Sequence, residues 1–275
     1  DALLHRGGGD LVEELAVPLP TAIIGNFLGV PPADRAQFHR WATAVVSGTS
    51  GVAYHEDHHR ATRDLYGYFR GLIATRRREP ADDLLGALVA AEVDGQRLRD
   101  EDVLGFCFNL IVGGIETTTS LISNGMVLLQ EHPDARSRLA AEPQRIPAAI
   151  EELLRLETPV VGLCRTTTRA VQRHGVSIPA GEKVLLLFGA ANRDEREFVD
   201  PDRLDIERAA ERHLAFGYGA HYCIGAALAR LMGRVAFEEA TARLGGARID
   251  VARGRRVPSA VSRSWLSLPV RVGRA

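Results

Sequence analysis

The sequence has few cysteines, little net charge and no long apolar run, and each absence excludes a class of protein. The three cysteines, Cys107, Cys164 and Cys223, are an odd number without paired spacing, which is typical of a reduced, cytoplasmic protein. A formal net charge of -1 gives no support for nucleic-acid binding. No uninterrupted apolar run approaches the roughly 20 residues of a membrane span. We therefore expect neither nucleic acid nor a membrane as a partner.

Length and composition are those of a globular protein. The chain has 275 residues, of which 45% are hydrophobic and 25% charged, enough for one large core. Residue 1 is Asp, and the residues before Gly7 read as the end of a helix. This beginning predicts that the sequence is part of a longer chain.

The longest helical pattern covers Asp100 to Glu131 and is apolar on nearly every side, which predicts a central, buried helix. It is interrupted by Gly113-Gly114 and by Glu116-Thr117. Each glycine weakens a helix by up to about 1 kcal/mol, and a buried carboxylate is costly unless it is paired. The Thr117 hydroxyl can bond the Gly113 carbonyl one turn earlier. Such local conflict indicates a functional site, although a kinked core helix with a structural carboxylate would show the same pattern.

A glycine-punctuated loop, residues 216–225, contains Cys223 and leads into another helix. Apolar residues recur there at helical spacing and predict one buried stripe: Leu228, Leu231, Met232, Val235, Ala236 and Ala240. Unpaired N–H groups at a helix N-terminus favour a thiolate over a thiol. A single thiolate suits axial ligation of haem iron, whereas a lone cysteine is more often a small buried apolar residue.

A third pattern places Glu152 and Arg155 on one face of a helix, where an ion pair is geometrically natural. On a protein surface such a pair is commonplace and weak. The residues that follow have β-type composition and predict strands over 163–168, 184–187 and 265–270.

Together these patterns resemble the cytochrome P-450 family. The resemblance rests on the Phe-x-x-Gly-x-His-x-Cys-x-Gly loop, the Gly-x-Glu-Thr-Thr segment and the Glu-x-x-Arg pair, in the family's order along the chain. It implies a mainly α fold with small β-sheets (α+β), in one domain over residues 1–275 that lacks the family's N-terminal part.

The resemblance also implies roles for individual residues. It implies that Cys223 is the axial ligand of the haem b iron, and that Thr117 and Glu116 deliver protons during oxygen activation. The other haem contacts it implies are His221, Arg165, Phe216, Gly219, Gly225, Gly113 and Gly114. It implies that Arg203 joins Glu152 and Arg155 in a structural cluster beneath the cysteine loop. The implied substrate pocket is lined by Asn109, Val161, Leu163 and Trp265.

The implied activity is insertion of one oxygen atom of O2 into a mostly apolar small molecule. Electrons would come from NAD(P)H through a ferredoxin reductase and a ferredoxin, which would dock near basic residues such as Arg230. The alternative is a truncated relative without catalysis that acts as an interaction or regulatory module. A peroxide-using or rearranging haem-thiolate enzyme is disfavoured by the complete acid–alcohol pair.

Overall fold

Helices make up most of the structure, a computed structural model that describes residues 2–49, 56–208, 210 and 212–273. The long helix predicted over Asp100–Glu131 is confirmed with the same bounds. Within the described ranges the α-helices are α1 Ala2–Arg6, α2 Pro18–Phe27, α3 Arg35–Thr49, α4 Glu56–Arg78, α5 Leu84–Ala90, α6 Asp100–Glu131, α7 Pro133–Ala141, α8 Ile146–Leu156, α9 Phe188–Ala191 and α10 Ala226–Arg243.

The strands are short and all pair antiparallel. They are β1 Gly8–Asp10, β2 Glu92–Val93, β3 Gln96–Arg97, β4 Leu163–Thr166, β5 Val171–Arg173, β6 Val176–Ile178, β7 Lys183–Leu186, β8 Ala247–Ile249, β9 Arg255–Arg256, β10 Trp265–Ser267 and β11 Pro269–Val272. One sheet has three strands in the order β1-β11-β8, and the other strands form pairs: β2 with β3, β4 with β7, β5 with β6 and β9 with β10. The fold is therefore mainly α with small sheets, as the sequence predicts.

The single strand predicted over residues 265–270 is wrong, because the chain changes partner at Leu268. Before this residue it pairs with β9, and after it with β1 and β8. The Leu268 N–H is taken by the Asp10 carboxylate at 3.0 Å instead of a strand partner. Pro269 has no N–H to offer a ladder. Two short strands replace one long strand for that reason.

Helix α6 is apolar all round because it belongs to two hydrophobic clusters. Its first half, from Val103 to Ile115, packs with residues of α2, α3, α4 and α5. Its second half, from Leu121 to Leu129, packs with α8 and α10. By length and composition α6 is also the one described helix that could cross a membrane. Packing between the two clusters accounts for that composition in a globular core.

Helix α10 has a narrower buried face than its sequence predicts. Met232, Ala236 and Ala240 are buried against the core, as expected. Leu231 and Val235, predicted in the same stripe, are instead 51% and 41% exposed. The helix therefore carries one apolar stripe on the core and a second on the surface, and helical spacing alone does not separate them.

The contact between α6 and α10 depends on a glycine, and this gives a first prediction. A Cβ at Gly125 would overlap the Phe237 ring and lie 3.2 Å from a methyl of Leu153. We expect Gly125→Ala to lower the free energy of unfolding by about 1–3 kcal/mol, the usual cost of overpacking. Gly105→Ala is the matched control in the same helix, because a Cβ there meets nothing within 4 Å. It should raise stability by up to about 1 kcal/mol through helix propensity. Urea unfolding of both variants checks this, and equal stabilities would contradict it.

Candidate active site

The loop that carries Cys223 is shaped by its own backbone hydrogen bonds. The Cys223 N–H donates to the Phe216 carbonyl at 2.9 Å, and the Tyr222 N–H donates to the Gly219 carbonyl at 2.9 Å. Gly217 and Gly219 adopt φ values of 71° and 72°, a region that side chains disfavour. Gly225 is the N-cap of α10. Cys223 therefore stands immediately before a helix N-terminus, where it is free and exposed.

The glycines predicted to contact a cofactor have different surroundings. A Cβ at Gly113 or Gly219 would meet nothing within 4 Å, and a Cβ at Gly225 would lie 3.8 Å from the Cys223 sulfur. These three positions leave room for a flat group. Gly114 is different, because its Cβ would lie 2.7 Å from Ile24 of α2. Gly114 therefore lets α2 approach α6, and its contact with a cofactor stays a prediction.

The acid–alcohol pair of α6 has one expected and one unexpected partner. The Thr117 hydroxyl donates to the Gly113 carbonyl at 2.5 Å, as the sequence predicts. The Glu116 carboxylate accepts a hydrogen bond of 2.6 Å from the Ser262 hydroxyl. Ser262 follows Glu116 by 146 residues and belongs to no motif, so nothing in the sequence indicates this contact. The orientation of the Glu116 carboxylate is therefore fixed by a residue outside α6.

Glu116 also lines a cavity of about 490 Å³ between α6, α3 and β10. Trp265 lines the same cavity, and its indole N–H has no hydrogen-bond partner among the described residues. The buried Thr43 hydroxyl of α3 lines this cavity too, and it also has no hydrogen-bond partner among the described residues. Unpaired buried polar groups facing a roomy cavity fit ordered water. Trp265 thus lies with Glu116 in a cavity that none of the other predicted pocket residues lines.

Those other pocket residues and the predicted cationic contacts lie at the surface. Asn109, Leu163, Arg165 and His221 are exposed, and Val161 is half-buried. Leu163 and Arg165 point to the same face of β4 because they are two residues apart in a strand. The Arg165 guanidinium donates to the carbonyl of the preceding residue, Cys164, at 3.0 Å.

The chemistry of these groups fits haem. Cys223 offers a thiol at a helix N-terminus, and the open glycine positions admit a planar ring. Arg165 and His221 offer exposed donors suited to carboxylates. Large apolar side chains near the cysteine are exposed as well, including Ile224 at 82%. A flat, mostly apolar group with two carboxylates and a metal that binds thiolate matches this set.

The loop is anchored by a buried cluster on α8. Glu152 and Arg155 are both 0% exposed and form a two-point ion pair with distances of 2.7 and 2.8 Å. Arg155 also donates to the carbonyls of Asn192 at 2.8 Å and Pro201 at 2.6 Å. Asn192 continues the network, since its side chain accepts from the Leu214 N–H at 2.6 Å. The cluster thereby reaches the segment that leads into Phe216.

The third member of this cluster is not the predicted one. The Arg203 side chain is 64% exposed and pairs with Asp205 at 3.1 Å. Its carbonyl faces Arg155 at 3.4 Å, so its side chain points away towards solvent. Arg208 donates to Glu152 at 3.1 Å in its place. The prediction for Arg203 is wrong; Arg208 lies five residues later in the same irregular segment.

Fold and site together fit a haem-thiolate protein, and the comparisons identify its family. The family model named Cytochrome P-450 matches residues 51–240. The chain belongs to the cytochrome P-450 family.

Similar proteins include bacterial enzymes and a solved structure. The chain is 44% identical over 277 residues to cytochrome P-450 130 of Mycobacterium tuberculosis, covering 99% of this chain and 68% of that protein. It is 42% identical over 235 residues to the steroid C26-monooxygenase of the same species, covering 84% of this chain and 63% of the relative. The structure of CYP109Q5 from Chondromyces apiculatus matches with a TM-score of 0.91 and 41% identity, covering 100% of this chain and 69% of that one. The chain thus spans about two thirds of these proteins.

The buried ion pair gives a second prediction. Arg155→Met leaves the buried Glu152 carboxylate with Arg208 as its remaining charge partner and removes the two-point pair, and breaking such a buried pair costs about 3–5 kcal/mol of unfolding free energy. Arg145→Met is the matched control, because Arg145 pairs with Glu142 and Glu207 at the surface. Its loss should cost less than about 1 kcal/mol. Urea unfolding measures both, and an Arg155→Met protein as stable as the control would refute the buried role.

Proposed function

We propose that the protein is a haem-thiolate monooxygenase that inserts one oxygen atom of O2 into a mostly apolar small organic substrate. The observation that carries the proposal is the free, exposed Cys223 thiol, held by the backbone of its loop directly before α10. The naming of a similar protein as a steroid C26-monooxygenase supports the reaction class. Electrons come from NAD(P)H through a ferredoxin reductase and a ferredoxin, in the cytoplasm, where free cysteines persist.

In this proposal the residues around Cys223 hold the cofactor. Cys223 supplies the thiolate ligand, while Arg165 and His221 bind the haem carboxylates. Gly113, Gly219 and Gly225 let the backbone approach the ring, and Phe216 packs beneath the loop. Haem, when bound, supplies the binding and reductive activation of dioxygen.

Thr117 and Glu116 control the protons that this reaction needs. The Thr117 hydroxyl donates its hydrogen to the Gly113 carbonyl, so its oxygen can accept a hydrogen bond on the cofactor side. Glu116 borders the cavity of about 490 Å³ and can exchange protons with water there. Ser262 fixes the direction of the carboxylate through its 2.6 Å hydrogen bond. In this proposal Thr117 acts on the side of α6 that faces the cofactor, whereas Glu116 acts on the side that faces the cavity from which protons come.

The proposed substrate surface comprises Asn109, Gly113, Val161 and Leu163. These residues offer apolar contacts and one amide, which suits a hydrophobic molecule with a polar group. The steroid named for the similar monooxygenase belongs to this chemical class. Trp265 is assigned to the proton side, because it shares the cavity of Glu116.

Haem ligation is tested by the carbon monoxide difference spectrum of the reduced protein, prepared with haem supplied. We expect the red-shifted Soret band of a thiolate-ligated haem, and Cys223→Ala should abolish it. Cys164→Ala is the matched control, because Cys164 is also free and exposed but lies on β4. It should keep the band. Absence of haem binding by the unaltered chain, or an unchanged band in Cys223→Ala, would overturn the proposal.

The proton pathway gives a further prediction. With substrate and redox partners present, Thr117→Val should lower product formation at least about ten-fold while NAD(P)H consumption continues and hydrogen peroxide is released, because positioned proton transfer contributes about 10²–10⁴-fold. Ser262→Ala should also lower the ratio of product formed to NAD(P)H consumed, by a smaller factor. Thr118→Val is the control, because the buried Thr118 hydroxyl has no partner among the described residues. Equal ratios of product to NAD(P)H in Thr117→Val and the control would refute the assignment.

A further inference from the structure

A second ionic cluster lies under the cysteine loop and is centred on Glu151 of α8. Arg230 of α10 binds the Glu151 carboxylate with both Nε and Nη2, each at 2.8 Å. This two-point geometry is the strongest that an arginine and a carboxylate form. Glu151 precedes Glu152, so the two carboxylates project about 100° apart around the helix. Adjacent glutamates therefore serve two different networks.

His213 completes the cluster in a defined tautomer. Its Nδ1 accepts a hydrogen bond of 3.1 Å from the Ala215 N–H, so this nitrogen carries no hydrogen. Its Nε2–H then donates to Glu151 at 3.1 Å. Burial raises the pKa of Glu151, but the hydrogen bonds from His213 and Arg230 outweigh it and lower that pKa to about 2. The carboxylate stays ionised down to acidic pH, and its contribution to stability is lost only as pH falls from about 4.5 towards 2.

Arg230 also contacts two residues of the cysteine loop, Phe216 and Tyr222. Its guanidinium carbon lies 4.5 Å from the centroid of the Phe216 ring, a cation–π distance. Its Nη1 donates to the Tyr222 hydroxyl at 3.3 Å. Phe216 and Tyr222 flank the hairpin whose closing bond runs from the Cys223 N–H to the Phe216 carbonyl at 2.9 Å. One side chain thus fixes the residues on either side of that bond.

We propose that Arg230, held by Glu151 and His213, is a positioning residue that fixes the loop presenting the Cys223 thiol. The proposal rests on the proposed function only where it concerns haem ligation. It replaces the expectation that Arg230 serves as a free cation for ferredoxin docking. Three N–H groups of Arg230 donate to residues of its own chain and its flat face is stacked, so its charge is paired with Glu151 although 38% of the side chain is exposed.

The lysine variant separates the two roles. Arg230→Lys keeps the positive charge but lacks the fork and the planar face. A docking cation is replaced by lysine with little loss, whereas a positioning residue is not. Arg234→Met is the matched control, since Arg234 lies one turn later on α10 and pairs with Glu238 at the surface. Tyr222→Phe removes a single hydrogen bond of the cluster and spares the fold.

The first measurement is amide hydrogen exchange of residues 216–223 in the chain without haem, alongside its global unfolding. We expect Arg230→Lys and Arg230→Met to speed exchange of the Cys223 amide at least ten-fold, and Tyr222→Phe to speed it less. Arg234→Met should leave it unchanged. The second measurement is the carbon monoxide spectrum after haem loading, in which both Arg230 variants should lose part of the thiolate-type band.

The outcomes are distinct. The proposal is overturned if the Cys223 amide exchanges at the same rate in Arg230→Lys as in the unaltered protein and if Arg230→Met impairs only reduction by ferredoxin. If an Arg230 variant does not fold, Tyr222→Phe decides the matter by the same exchange rate. If the unaltered chain binds no haem, the proposed function fails, whereas the exchange experiment still tests the position of the loop.

Discussion

The buried pair of Glu152 and Arg155 is the interaction on which the rest of the site depends. Removing two charges from water is costly, and attraction between them alone rarely offsets that cost. Here each partner has further hydrogen bonds, from the Asp205 N–H and Arg208 to Glu152 and from Arg155 to carbonyls. These bonds organise a long segment between α9 and α10 that contains no strand in its described part. Hydrogen bonds to one face of α8, and not strand pairing, therefore hold this segment in place. They also set the position of the cysteine loop that follows it.

The conflict that marks α6 in the sequence is resolved by neighbours from distant parts of the chain. The Thr119 hydroxyl donates to the Ala16 carbonyl at 3.1 Å, and Ser262 donates to Glu116. Thr117, Ser120 and Ser123 instead donate to carbonyls of their own helix, at Gly113, Glu116 and Thr119. Polar side chains in this apolar helix therefore serve two purposes: some bond within α6, and others, such as Thr119 and Glu116, attach distant segments to it. The part of α6 for which we propose a chemical role is narrow and comprises the open Gly113 position and the two side chains of the acid–alcohol pair.

The family resemblance predicts the fold, and local patterns predict several of its elements and contacts. Helix α6, the hydrogen bond from Thr117 to Gly113 and the pair of Glu152 with Arg155 all lie within one or two helical turns, where spacing alone defines which residues meet. The cysteine loop is similarly local. The wrong predictions concern direction in space. The Arg203 side chain faces solvent, and the strand predicted over residues 265–270 breaks at Leu268, whose N–H is taken by Asp10 from the other end of the chain.

The residues that the sequence analysis missed share one property, which is that each acts on a motif from outside it. Arg208 reaches Glu152 and Ser262 reaches Glu116 across distances along the chain that no spacing rule covers. The sequence analysis considers Arg230 only as a positive charge, whereas its contacts in the structure support the proposed role in positioning the cysteine loop. A motif identifies the groups that can perform chemistry, whereas the precision with which they are held comes from packing and hydrogen bonds around them. For this protein, the supporting shell of Arg208, Arg230 and Ser262 is therefore where variation can change the site while every motif residue stays in place.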